Sequence, residues 1–279
     1  MTVVGIAHYS AIVPCLLSSL TAAMVADWFH VKPTSFLVRY IPEFHADSYF
    51  MLARTIIMGI AGAIVSIVFC KIMSKTAELY KKYIKNPYLR ILAGGAIVAA
   101  ISMLIYALTG NWAGKTVSTA EGSFDYNGAG TDIIKKAFIG QSRPEAFILK
   151  MLLTALTLGC GFKGGEIVPS LYIGATFGCF FGGLLGLSHS FGAAVGLAAV
   201  FCGVTNCPFA TLLLTIELFG ADGLPYYALV IGISYMLSGY TGLYSAQKFY
   251  DNKFIHRRFR HLKTYKEIKT DSAANNGKD

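Results

Sequence analysis

Residues 167–216 run for fifty positions without a single Asp, Glu, Lys or Arg. A soluble domain, in which roughly a quarter of residues are charged, cannot present such a stretch to water. Residues 1–26 also lack all four residue types, and the chain as a whole is 14% charged against 54% hydrophobic. At about 20 residues per bilayer crossing, both runs are long enough to enter a membrane. Disordered, collagen-like and disulfide-stapled classes are excluded, because the apolar content is too high and the cysteines too few. The sequence therefore describes an all-α, polytopic membrane protein.

The net charge of +9 does not point to nucleic acid, because the basic residues do not decorate a soluble core. They fall in two blocks between or after apolar runs. Lys71, Lys75, Lys81, Lys82, Lys85 and Arg90 form the first; Lys248, Lys253, Arg257, Arg258, Arg260, Lys263, Lys266 and Lys269 form the second. Clusters of this kind mark cytoplasmic segments. The expected organisation is a transmembrane domain over residues 1–247 and a basic cytoplasmic tail over 248–279, ending in a polar, disordered DSAANNGKD. No leader with a basic start precedes the first apolar run, which reads as a chain beginning inside a hydrophobic segment. Cys15, Cys70, Cys160, Cys179, Cys202 and Cys207 form no CxxC pair and read as small buried hydrophobes, so no metal or cofactor is expected.

Along the chain, a first span carries Pro14, and residues 27–47 form an interfacial loop anchored by Trp28. A second helix starts near Met51 and continues unbroken into the first basic block. Asn86-Pro87 marks a turn, and a third span over residues 88–108 carries Gly94 and Gly95, which permit close helix contact. Residues 109–145 are too polar to cross and read as an external loop with a short helix at TDIIKKAF. In the apolar stretch 146–158, Lys150 is expected to snorkel to the headgroups. The Gly and Pro residues of 167–216 read as breaks between short, tilted or half-spanning helices. A last apolar stretch, 223–247, is interrupted at SGYTG, and a helix beginning near Leu243 leads into the tail.

No HExxH, nucleophile elbow, Walker loop or dinucleotide fingerprint occurs in a fitting context, so no enzymatic chemistry is expected. The segment GFKGGEIVP at residues 161–169 is different. Irregular backbone at membrane depth is tolerated where it is buried in protein or lines an aqueous cavity. Glycine lets a ligand approach the main chain, and the first amides of the following helix have no intrahelical partner, so they can hold an anion. A plain glycine-rich turn between two spans satisfies the same residues, and on residues alone both readings stay open. Asn206-Cys207-Pro208 is a second buried helix start. Glu217 reads as a hydrogen-bonding residue at the membrane edge rather than a proton carrier, and His8 and His189 as core or interfacial histidines.

Taken in order, GGEIVPSLYIGATFG, AVGLAAVFCGVTNCPFATLLLTIELF and LYSAQKF resemble the anion box, the two following helices and the start of the last helix of the CLC family of chloride channels and anion/proton exchangers. The resemblance covers nearly the whole chain but only the C-terminal half of a complete member. It implies the second of two inverted repeats, a homodimer with one pathway per subunit, and a missing N-terminal half as partner. It implies an anion held by Gly165, Glu166, Ile167, Val168 and Pro169, with a hydroxyl from Tyr244. Ile167 stands where the box has Phe, and Glu166 sets an acid beside the anion-binding amides, turned toward Lys163 or protonated. The serine loop and the gating-glutamate loop of the first half are absent. The expected cargo is chloride or a related halide, fluoride included, and the expected location a bacterial plasma membrane with a cytoplasmic C-terminus. The rival is a secondary transporter of an organic anion with re-entrant helices.

The charge asymmetry gives a test of topology. Cysteines introduced at Ser123 and Ser272 should differ in reactivity toward an impermeant reagent added outside, with Ser123→Cys labelled and Ser272→Cys protected. Equal labelling would contradict the assignment.

Overall fold

The computed structural model describes residues 3–4, 9–31, 36–43, 49–107, 126–244, 247–251, 253, 258–264 and 267–268. The expectations for His8, for residues 108–125 of the loop and for residues 271–279 fall outside these. The chain forms two compact units, one of residues 1–36 with 244–279, the other of residues 37–243.

The first unit holds the helix α1 (Tyr9–Trp28), with Pro14 inside it, and a small sheet. Strand β1 (Val3–Val4) lies parallel to β2 (Lys248–Asp251), which pairs antiparallel with β3 (Arg258–Thr264). This sheet was not legible in the sequence, and it replaces the helix expected near Leu243. Phe249 pairs with Lys263 and Asp251 with Arg258, with an irregularity in register between them.

The second unit is built from helices. They are α2 (Tyr49–Tyr83), α3 (Pro87–Tyr106), α4 (Thr131–Phe138), α5 (Ala146–Gly159), α6 (Ile167–Leu184), α7 (His189–Thr205), α8 (Pro208–Phe219) and α9 (Leu224–Leu237). Local chemistry sets their ends. The Asn86 side chain accepts from the Tyr88 amide at 3.0 Å with Pro87 in the first turn, and Ser188 accepts from the Phe191 amide at 3.2 Å, both typical N-caps. The 35 residues of α2 form one continuous helix with Lys81 and Lys82 in its last turn, where positive charge is stabilised by the negative end of the helix dipole. Among the described residues four helices, α1, α2, α3 and α6, are long and apolar enough to cross a bilayer. At 1.5 Å per residue, the 12 and 14 residues of α8 and α9 reach only about 18 and 21 Å. Short, half-spanning helices were expected within 167–216, and α8 fits that expectation; α9 lies beyond that stretch.

The glycines of α6 do not break it. Gly174, Gly178 and Gly182 recur every four residues, so they share one face, and α7 opposes them with Gly192 and Gly196. A β-carbon on Gly178 would strike the Gly192 carbonyl oxygen and lie 2.8 Å from the Gly196 Cα; one on Gly182 would lie 2.8 Å from the Gly192 Cα. Without an apolar driving force between helices in lipid, this direct approach of two backbones supplies the packing contacts. The correction to the sequence reading is physical. Spacing of four along a helix makes a groove, not a set of interruptions.

Helices α2, α4, α6, α8 and α9 pack around α7, and every residue from Ser190 to Thr205 is buried. Gly62 of α2 packs against Ala199, and the Ser234 hydroxyl of α9 donates to the Ala199 carbonyl at 2.6 Å. The extended segment 37–43 crosses the start of α7, where the Arg39 amide donates to Ser190 Oγ at 2.9 Å.

A pair of substitutions tests this packing. Gly178→Val should cost more than the roughly 1–3 kcal/mol of ordinary overpacking, since the obstacle is backbone, and should abolish a monodisperse folded species. Gly165→Ala meets nothing within 4 Å and should leave the thermal midpoint within about 2 °C, as substitutions at open sites usually change stability by under 0.5 kcal/mol.

Candidate anion site

The glycine-rich segment begins where α5 stops. Gly161, with φ of +114°, turns the chain in a conformation open to residues without a side chain. The carbonyl of Cys160, at the α5 C-cap, accepts from Arg90 Nε of α3 at 3.1 Å. Arg90, assigned from sequence to the cytoplasmic basic block, thus closes a helix end. Its neighbour Gly94 lies directly against Cys160, as its small size suggested.

Helix α6 then starts without a side-chain cap. Glu166 is its N-cap residue and makes no capping hydrogen bond. The first amide bonded in the helix is that of Ser170, to the Glu166 carbonyl at 3.2 Å. Pro169 has no N–H, and among the described residues the amides of Gly165, Glu166, Ile167 and Val168 have no hydrogen-bond partner. Free amides at a helix N-terminus carry a partial positive charge directed at whatever lies beyond the end. Ile167 and Val168 are 45% and 37% exposed on this chain, and Gly165 faces open space.

A cavity of about 370 Å³ lies at this end. Gly164, Gly165, Val168 and Pro169 line it together with Asn127, Lys150 and Thr154. Of the residues singled out from sequence, Gly165, Val168 and Pro169 are therefore brought together, while Glu166 and Ile167 do not line the cavity. Tyr244 belongs to the other unit, where its carbonyl accepts from the Gln247 amide at 3.0 Å. Lys163 is exposed and forms no ion pair with Glu166, so that expected pairing is absent.

The larger correction concerns Lys150. It does not snorkel: it is 2% exposed, and its Nζ donates to the carbonyls of Tyr126 at 3.1 Å and Gly128 at 2.6 Å while sitting 4.8 Å from the Tyr172 ring centroid. Lys150, Thr154 and Thr157 recur at helical spacing on α5, and that polar stripe in an apolar helix was the signal available in the sequence. Segment 126–129 is held from a second side by Asn127, whose Nδ2 donates to Ser102 of α3 at 3.1 Å.

The second helix start is structural. Asn206, buried and left-handed at φ 55°, closes α7 through its amide to Cys202 at 2.8 Å, and its Nδ2 donates to the Thr241 carbonyl at 2.8 Å. Glu217 is exposed and makes no hydrogen bond or ion pair among the described residues, so it does not take the bonding role expected of it. His189 lies at the start of α7 with Nδ1 3.2 Å from the Cys179 carbonyl.

A set of apolar helices packed around a glycine-lined pair, several of them long and apolar enough to cross a bilayer, is the architecture of an integral membrane protein. The family model described as voltage gated chloride channel matches residues 2–239, and the chain belongs to this CLC family. It is 32% identical over 246 residues to a chloride/fluoride channel protein of Pseudomonas syringae pv. tomato, covering 88% of this chain and 51% of that one. It is 23% identical over 210 residues to an H(+)/Cl(-) exchange transporter of Vibrio cholerae, covering 73% and 42%. A crystal structure of a CLC-type fluoride/proton antiporter superposes with a TM-score of 0.76 at 27% identity, covering 89% of this chain and 58% of that one. The chain thus spans about half the length of the curated relatives it matches.

Proposed function

We propose that this chain forms the second repeat of a halide pathway and moves chloride or fluoride across a bacterial plasma membrane. The observation that carries the reading is the run of unpartnered amides from Gly165 to Val168 at the start of α6, beside a cavity. A halide entering such a site sheds part of its water, and oriented backbone dipoles replace it without covalent chemistry. The relatives' names support the cargo: one is a chloride/fluoride channel, another a proton/chloride exchanger. They give no support to an organic anion. The complementary first repeat supplies the opposite wall, two such assemblies form a homodimer, residues 1–247 lie in the membrane domain, and the basic tail 248–279 faces the cytoplasm.

In this reading Glu166 and Ile167 turn their amides toward the ion, and Tyr244 adds one hydroxyl. A hydrogen bond to a charged partner is worth about 1.5–3 kcal/mol before compensation by water. Tyr244→Phe should accordingly weaken halide binding by about tenfold, the factor that corresponds to 1.4 kcal/mol. Titration calorimetry of the assembled pore measures this, and unchanged affinity would remove Tyr244 from the site. Liposomes carrying the assembled pore should release chloride or fluoride and take up no organic acid. The reverse selectivity would refute halide transport.

A further inference from the structure

Lys150 presents a problem that the backbone site does not solve. Its ammonium is buried on a helix of the membrane unit, and its partners are two carbonyl oxygens and a ring face. No carboxylate among the described residues pairs with it. Carbonyl dipoles and a π-face solvate a cation but do not cancel its charge, and an uncompensated buried charge is strongly unfavourable. Ionisable side chains at membrane depth face cavities or partners. Lys150 lines the same cavity as Gly164, Gly165, Val168 and Pro169.

We propose that Lys150 is the fixed cation of a halide subsite in this cavity, with the transported anion as its counter-ion. The inference rests on the halide reading above and deepens it: an anion reaching the α6 amides first occupies the space between them and Lys150. Thr154 and Asn127 are polar residues of the same lining. Beyond Tyr126, which borders both spaces, a second cavity of about 250 Å³ is lined by Lys136 and Arg143. Positive side chains thus flank the approach on both sides of Tyr126. The two carbonyl bonds have a separate consequence. They fix the ammonium against the wall, so the ion is attracted without meeting a mobile charge that would follow it.

Charge and tether are separable by substitution in the assembled, full-length pore. Lys150→Gln keeps an N–H₂ group for the Tyr126 and Gly128 carbonyls and removes the charge. Lys150→Arg keeps the charge. Calorimetric titration with chloride and with fluoride should show a loss of about tenfold or more in Lys150→Gln, within the range measured for close charge pairs, and a change of about threefold or less in Lys150→Arg. Thr154→Asp adds a resident carboxylate to the cavity and should abolish halide binding while the thermal midpoint holds or rises; it decides the matter if Lys150→Gln does not fold. Halide affinity unchanged in Lys150→Gln or in Thr154→Asp would overturn the subsite and leave Lys150 a tether. Absence of halide binding by the unmodified protein would instead sink the transport reading on which the subsite depends.

Discussion

The contact between the backbones of α6 and α7 is the constraint on which the second unit depends. Lipid tails are as apolar as leucine, so two helices gain little by hiding side chains from them, and packing must come from close approach. Gly174, Gly178 and Gly182 against Gly192 and Gly196 remove the side chains that would hold the axes apart. Once α6 is locked to α7, and α7 is enclosed by α2, α8 and α9, the N-terminus of α6 has a fixed position. An anion site made of amides needs that rigidity. Donors that could relax toward one another would lose the preorganisation that makes them worth more than water.

The proposed site balances two requirements. A pathway must bind an ion well enough to strip its water and weakly enough to release it. Neutral amides at a helix start give modest, directional stabilisation. A bare ammonium gives a larger, non-directional one, and at Lys150 it is moderated by two carbonyl oxygens at 2.6 and 3.1 Å. The end of α5, capped by Arg90 and turned at Gly161, sets the glycine segment between these two elements. Its own lack of partners keeps the amides available.

Much of this was legible in the sequence, and the failures share a cause. Span positions follow from uncharged length, so α2, α3 and α6 lie where the apolar runs put them, and the GGEIVP box marked the uncapped start of α6. Glycine and lysine were misread because their meaning depends on what faces them. A glycine is a break in an isolated helix and a groove in a packed one, and only the opposing Gly192 and Gly196 decide between the two. A lysine one turn into an apolar helix reaches the headgroups if its face meets lipid, and stays buried if carbonyls from a distant segment, here Tyr126 and Gly128, meet it first. The sheet of β1 with β2 and β3 joins residues nearly 250 positions apart, a pairing that no local pattern encodes.

The central claim, that the free amides at the start of α6 hold the halide, is tested most directly by anomalous diffraction from crystals of the assembled pore grown in bromide. The account predicts a bromide peak within hydrogen-bond reach of the Ile167 and Val168 amides. Bromide peaks confined to other places, with ordered but unoccupied amides at the α6 start, would contradict it.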